Sequence, residues 1–407
     1  MTDHESSRYG FANQSSGPMI VRAAGSMLYT ADGRQILDGA SGALVTNIGH
    51  GRPEVAAVAA QALLNVDYAI PPWPTPARLA LADTLVECWL PVDFHHVFLA
   101  SGGSEANDSA IRLARLYHLA NGEPTRWKVI GRSPSYHGST LATLAMGYHR
   151  SRRDGFDPLL AEWPKAPWND AGAVAAAIEA AGPETVAAFV AEPVIGAAGG
   201  ALVASSDYWA EVGEICRRYG VLAIVDEVMT GFGRTGKVWG HDHDPWTPDI
   251  LVSGKGLGGG YVPISLVSAN DRVADGMAKG RGQLMFFTYS GHDLTCAVAR
   301  EVLRIMQEEE LVNRAASMGE RLKYELDNAL GCLELVAEVR GRGLMLGVEL
   351  RGITTATVVA ECLARGLWVY PAGSGHPTPE SILVAPPLVV TEGEIDRIVS
   401  TLAEVLH

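Results

Sequence analysis

Two stretches decide the fold: VLAIVDEVMTGFGRTG, residues 221–236, and PDILVSGKGLGGG, residues 248–260. In each, a short apolar run rich in β-branched residues stops at polar groups and glycines, Asp226-Glu227 in the first and Gly254-Lys255-Gly256 in the second. Residues 221–225 are apolar at every position and so read as a strand buried on both faces, as in a parallel sheet. Working outward, the pattern recurs: strands are expected at 96–100, 127–131, 187–191, 250–253 and 264–268, alternating with amphipathic stretches such as 105–119. Such alternation is the mark of βαβ units. Before this block come a hairpin, 27–29 and 35–37 around Ala31-Asp32-Gly33, and a helix at 53–65. After it come a long helical pattern at 294–329, strands at 335–340 and 344–350, a helix at 355–365, and a last helix starting at Thr391-Glu392-Gly393-Glu394. The expectation is an α/β chain. Residues 51–300 form a large domain with a mostly parallel central sheet flanked by helices, and residues 1–50 and 301–407 form a smaller α+β domain from both termini.

The 407 residues are 47% hydrophobic and 19% charged, which excludes disorder and allows a large core. Against 46 acidic residues stand 32 Lys and Arg, a net charge of −14 with no basic tract, so nucleic acid and anionic membrane are unfavourable partners. Cys88, Cys216, Cys296, Cys332 and Cys362 show no Cys-x-x-Cys spacing, which fits a reducing compartment rather than a disulfide frame or zinc knuckle. Residues 1–8 are polar and acidic, and no apolar run is long enough to span a bilayer, so a soluble, cytoplasmic protein is expected.

The chemistry gathers where the expected strands end, the edge at which open α/β sheets bind ligands. Ser101-Gly102-Gly103-Ser104 lies between a strand and a helix, where free N–H groups and the helix dipole favour a phosphate; a plain tight turn with a serine cap is the competing reading. Asp226 and Glu227 emerge at the sheet edge half shielded from water and need a cationic partner, a metal or a cap. Lys255 fails the P-loop pattern, because Gly256 follows it and Asp249 stands six residues before. A lysine in a glycine loop at a strand end suits an amine nucleophile that forms a Schiff base, or else is a solvated loop residue. Taken together with Tyr136 in Ser135-Tyr136-His137-Gly138 and with Glu192, these parts suggest one ligand, a planar pyridine aldehyde carrying a phosphate.

At this point the chain resembles the class III (ω-) aminotransferases of pyridoxal-phosphate fold type I. The resemblance rests on SGGSEAN (101–107), SYHGST (135–140), AEPVIGAAGG (191–200), DEVMTGFGRTG (226–236), PDILVSGKGLGGG (248–260), FTYSGH (287–292) and VRGRGLMLGVEL (339–350), and spans roughly residues 20 to 400. It implies pyridoxal 5'-phosphate as cofactor, with Lys255 as the Schiff-base lysine and proton carrier and Asp226 on the pyridine nitrogen. Gly103 and Ser104 would bind the phosphate, Tyr136 and Val228 would cover the two ring faces, and Glu192 would sit near the O3′ side. Thr288 would complete the phosphate site of a partner subunit in a homodimer. The implied reaction is ping-pong transfer of an amino group from an amine donor to an oxo acid, pyruvate or 2-oxoglutarate; an aminomutase, racemase or decarboxylase on the same fold is the alternative.

Departures from the family pattern bear on the substrate. Leu44 stands where a tryptophan is usual in one branch, Ile195-Gly196-Ala197 and Met229 replace polar residues, Met285-Phe286 replaces His-Gly, and Tyr370 precedes Pro371 where many members carry arginine. The resulting apolar neighbourhood favours an ω-amino acid or larger primary amine, and Arg340 or Arg342, or an arginine crossing the dimer interface, is left to bind the oxo-acid carboxylate. Trp73, among Pro71, Pro72, Pro74 and Pro76, is a candidate for the entrance. His241-Asp242-His243-Asp244 reads as an exposed loop, and no metal site is expected.

Overall fold

The structure, a computed structural model, describes residues 17–282, 286–373 and 378–407; the expectations for residues 1–16 and for Met285 lie outside them. The strands Val186–Ala191 and Leu222–Glu227 are buried at every residue and form the centre of a seven-stranded sheet. Its order is His96–Ala100, Ser265–Ala269, Ile250–Ser253, Leu222–Glu227, Val186–Ala191, Lys128–Ser133, Lys165–Pro167. Every neighbouring pair is parallel except the two made by Ser265–Ala269, which runs against both Ile250–Ser253 and His96–Ala100. Only residues 254–264 connect it to the preceding strand, and that glycine-rich link is too short to wind a helix across the sheet. The helix Gly103–Ala120 packs Ala106, Ala110, Leu113 and Ala114 onto this sheet.

Both ends of the chain meet beside it. Gln35–Asp38 pairs antiparallel with Met27–Thr30 and parallel with Leu367–Trp368. A second four-stranded sheet holds Val336–Arg342, Met345–Leu350, Ser381–Val384 and Tyr370–Ala372. The last helix, Glu392–Leu406, opens with a reciprocal cap between Thr391 and Glu394.

One expectation changes, and one helix is new. The helical pattern at 294–329 is two helices, Asp293–Glu308 and Leu311–Leu330, because Glu310 turns the chain at φ +49° between them. The proline-rich stretch around Trp73 leads directly into a helix, Pro76–Cys88, with Pro76 in its first turn and the Thr75 hydroxyl accepting from the Arg78 amide.

Arg234 ties the parts together. Fully buried, it donates to the carbonyls of Leu344 and Pro386 at 3.0 and 2.7 Å, to the Ser41 hydroxyl at 3.1 Å and to Asn47 Oδ1 at 2.8 Å. Burial pushes its guanidinium down to about 9, so it stays charged at neutral pH. Arg234→Leu keeps the volume filled but leaves four acceptors unpaired, and should lower unfolding stability by at least about 3 kcal/mol. Denaturant unfolding checks this; a midpoint unchanged from wild type would show that the clamp adds nothing.

Candidate active site

Asp226 closes the buried central strand, and three donors of the chain fix its carboxylate. Asn107 Nδ2, on the helix Gly103–Ala120, donates to Oδ2 at 2.9 Å, His137 Nδ1 meets the same oxygen at 2.7 Å, and the Val228 amide donates to Oδ1 at 3.0 Å. Asn107 Nδ2 also reaches the His137 carbonyl at 3.0 Å, so helix, loop and strand are laced together. The sequence reading gave Asn107 and His137 no role; only their place inside SGGSEAN and SYHGST marked them. Glu227 points elsewhere, which corrects its expected place at the sheet edge. It is fully buried and accepts from the Thr230 hydroxyl, the Gly240 and His241 amides and His241 Nδ1. Burial alone would lower the His241 pKa, but the hydrogen bond and charge of Glu227 raise it. The His241 segment is thus a packed turn and not an exposed loop: His241 and Trp246 are buried, and Asp244 pairs with Arg342.

A cavity of about 260 Å³ is lined by Lys255, Asp226, Glu192, Tyr136, Gly103 and Ser104, and beyond them by Asn107, His137, Val228, Met229, Arg152 and Tyr370. Lys255 sits in a single turn after its strand, at φ +38°, a strained backbone setting for a side chain. Burial lowers its ammonium to about 8, against the opposing charges of Asp226 and Glu192 and with the help of Arg152 and Arg234. Glu192 accepts from the Tyr136 amide at 3.2 Å and the Gly196 amide at 3.4 Å, and burial raises its carboxyl. At the cavity's other end, Gly102 precedes the helix Gly103–Ala120 without a side-chain cap, and a Cβ added to Gly102 would meet nothing within 4 Å. The first N–H groups of this helix lack a side-chain cap and its residues Gly103 and Ser104 line the cavity, while the Ser104 hydroxyl, accepting from the Ser139 amide at 3.0 Å, keeps its own proton to donate. Gly103 must be small: a Cβ there would stand 3.0 Å from Val228 Cγ1. An uncapped helix end for a phosphate, a lysine of lowered basicity, a tied carboxylate and a half-buried tyrosine form a donor set that fits a pyridine aldehyde phosphate.

The remaining candidates fall outside the cavity lining. Leu44 and Ala197 are buried in a cluster with Met229, Met345 and Leu383, and it is Ala43 that faces the cavity. Trp73 is 67% exposed, and Thr288 is exposed with its carbonyl accepting from the Tyr68 hydroxyl. Neither Arg340 nor Arg342 is available. Arg340 is held by Glu338, Glu349 and the Gly199 and Gly200 carbonyls, and Arg342 by Asp244. The cavity's arginine is Arg152, which no strand-end pattern could have singled out.

Residues 11–406 match the family described as aminotransferase class-III. The chain belongs to that family. It is 34% identical over 421 residues to the uncharacterized aminotransferase YodT of Bacillus subtilis, covering 96% of this chain and 95% of that one. To the putrescine–pyruvate aminotransferase of Pseudomonas aeruginosa it is 31% identical, over 96% of this chain and 91% of the relative. The crystal structure of an amine transaminase from an uncultivated Pseudomonas species, in a PLP-bound form, superposes with a TM-score of 0.89 at 32% identity, over 98% of this chain and 96% of that one. The protein is an aminotransferase of the α/β architecture expected from its sequence, and class-III aminotransferases depend on pyridoxal phosphate.

The lowered pKa of Lys255 is measurable in cofactor-free protein. Acetylation of Lys255, followed by peptide mass spectrometry against pH, should show a midpoint near 8 instead of the ordinary 10.5, and Asp226→Asn should move it lower still. The unfolded chain keeps that proton up to 10.5 and the folded chain only up to about 8, so wild-type stability relative to Lys255→Met should rise as pH climbs through that window. A midpoint above 10 would mean that the ammonium is solvated.

Proposed function

We propose that this chain binds pyridoxal 5'-phosphate and moves an amino group from a primary amine or ω-amino acid to an oxo acid, pyruvate or 2-oxoglutarate, by a ping-pong mechanism. The observation that carries the reading is the meeting of Lys255, Asp226 and an uncapped helix N-terminus in one cavity. Gly103 and Ser104 would hold the phosphate of the cofactor, and Tyr136, Val228 and Glu192, which line the same cavity, would hold its ring. When bound, the cofactor supplies an electron sink for the carbon that carries the amine. Asp226 keeps a proton on the ring nitrogen, and its bonds to Asn107, His137 and Val228 hold the carboxylate in place for that. Lys255 is the base: with a pKa of about 8, about a tenth of it is neutral at pH 7, enough for Nζ to take a proton from the donor carbon and return one. A single cavity at Lys255 supports the ping-pong order, in which the first product leaves before the acceptor enters.

The same reading makes the protein a homodimer, with Thr288 contributed to the partner's phosphate site. In support, Thr288 is exposed between Phe286 and Tyr289, near Tyr68, and all three aromatics are exposed large hydrophobics of the kind a second copy covers. The domain limits 1–50, 51–300 and 301–407 and a cytoplasmic location belong to this proposal; the Leu37 to Leu367 pairing and the unpaired cysteines support them.

Lys255→Ala should abolish turnover while leaving the fold intact, and Asp226→Asn should cost about 10³-fold in the half-reaction with donor. A loss below about tenfold in Asp226→Asn, with cofactor bound, speaks against the ring-nitrogen role. Dependence on an added oxo acid separates amino transfer from isomerisation or decarboxylation. Mixing inactive Lys255→Ala with a Thr288→Asp variant, whose charge repels the phosphate, should restore part of the activity through hybrids that keep one intact site. No restoration, with subunit exchange demonstrated, puts Thr288 outside the partner's site.

A further inference from the structure

Both substrates of the proposed reaction pass through a cavity whose acidic groups are already committed. Asp226 is tied to Asn107, His137 and the Val228 amide, and Glu192 to the Tyr136 and Gly196 amides. Among the described residues that line it, the cations are Lys255 and Arg152. Arg152, in the turn Arg150–Arg153, pairs with no carboxylate of the described residues. Its guanidinium carbon lies 4.2 Å from the centroid of the Tyr136 ring, and Nη2 has one long contact, 3.4 Å, to the Tyr370 hydroxyl. Neighbouring arginines are used up: Arg153 by Asp157 and the carbonyls of Leu144 and Gly147, and Arg132 by the carbonyls of Trp168 and Glu192. A half-buried guanidinium parked on an aromatic face and a phenol, both neutral, has its fork of donors open to an anion.

We propose that Arg152 binds the carboxylate of the substrate, and that as the one uncommitted cation beside Lys255 it selects oxo acids with a single carboxylate, of the pyruvate type, over dicarboxylates. This rests on the aminotransferase reading above and narrows its acceptor. Planar bidentate pairing suits a carboxylate adjacent to the reacting carbonyl, with Tyr370 as the resting partner that the carboxylate displaces. Among the other lining residues, Ala43, Val194, Val228 and Met229 are apolar and have no charge to offer a second carboxylate. The carboxylate of an ω-amino acid donor would meet the same guanidinium.

The test compares wild type, Arg152→Gln and Arg152→Lys, all loaded with cofactor. With pyruvate as acceptor, Arg152→Gln should lose about 30- to 100-fold in kcat/KM, mostly through KM, while pyruvamide, the neutral isostere, changes less than about threefold; Arg152→Lys should recover part of the loss. Wild type should use pyruvate at least about tenfold better than 2-oxoglutarate. Calorimetric binding of propanoate, which needs no turnover, should weaken in Arg152→Gln in step with pyruvate. The half-reaction with butan-1-amine, which has no carboxylate, should fall by much less than the pyruvate reaction, because the variant's remaining effect there runs only through Tyr136 and the Lys255 pKa. Equal losses for pyruvate and pyruvamide would make Arg152 a support for Tyr136 and overturn the proposal. So would unchanged pyruvate kinetics and propanoate binding, which would hand the carboxylate to another cation, including one from a partner subunit. If wild type transfers to no acceptor, the aminotransferase chemistry itself fails, whereas propanoate binding still decides whether Arg152 is an anion site.

Discussion

The charge on Asp226 is the constraint around which the rest is arranged. A carboxylate at the end of a strand buried on both faces has left water, and the cost is recovered only if the chain supplies donors at fixed positions. Those donors come from three separate segments: a helix with Asn107, a loop with His137, and the strand's own continuation at Val228. Because each must be in register with the others, the packing of the helix Gly103–Ala120 onto the sheet and the position of the active cavity become one requirement. The same helix offers its uncapped N-terminus a few residues away, so the element that ties the carboxylate also presents a terminus whose dipole favours an anion. Lys255 completes the set from the neighbouring strand, which pairs with the Asp226 strand in parallel register, Asp226 opposite Val252.

Placing these groups at the carboxyl edge leaves them exposed unless something covers that edge. The cover is made by segments from both sides of the large sheet in sequence: the N-terminal hairpin pairs with the strand Leu367–Trp368, and Arg234 clamps N- and C-terminal segments together. Ser41 and Asn47 come from the N-terminal side, Leu344 and Pro386 from the C-terminal side, and Arg234 from the loop that follows Asp226 itself. A single buried guanidinium therefore links the roof to the strand that ends in Asp226 and Glu227. Small residues make the close approach possible: a Cβ on Gly256, next to Lys255, would collide with the Asn47 amide that Arg234 holds.

How far the sequence could be read follows from this division of labour. Strands such as Ile250–Ser253 and Leu222–Glu227 were legible because burial on both faces leaves uninterrupted apolar runs ended by polar residues, and those ends were the active edge. The reversed direction of Ser265–Ala269 was not legible, since strand direction leaves no mark on composition; only the shortness of the 254–264 link betrays it. The break at Glu310 was hidden because both helices share one apolar periodicity. Among site groups, glycines, lysine and carboxylate at strand ends announce themselves by position, whereas Asn107 and His137 act through partners far away in the chain. Arg152 lies in a short turn with arginines on either side, Arg150 and Arg153, and only the fold shows which of the three faces the cavity. Leu44 misled for a related reason: substitution at a known position says that something changed there, while a single-residue rotation put Ala43 at the wall.

The charge of the whole chain sets how an anionic substrate can be recognised. At −14, the molecule repels oxo acids at long range, and this field is screened over about 8 Å at physiological ionic strength. Attraction must therefore be local, and a surface arginine would be neutralised by the acidic neighbours that such a composition places everywhere, as Arg304 is by Glu301 and Glu308 and Arg321 by Glu392 and Asp396. A cation remains useful for binding only where the fold commits nearby acids to other donors and offers neutral aromatic surface in their place. In the cavity the two carboxylates, Asp226 and Glu192, are held by other donors, Arg152 rests on Tyr136 and Tyr370, and the lower local dielectric strengthens a pairing that water would weaken. The surplus of acid on the outside and the arrangement of tyrosines on the inside are thus two sides of one solution: few anions are drawn in, and those that enter meet a guanidinium whose resting partners, Tyr136 and Tyr370, are neutral.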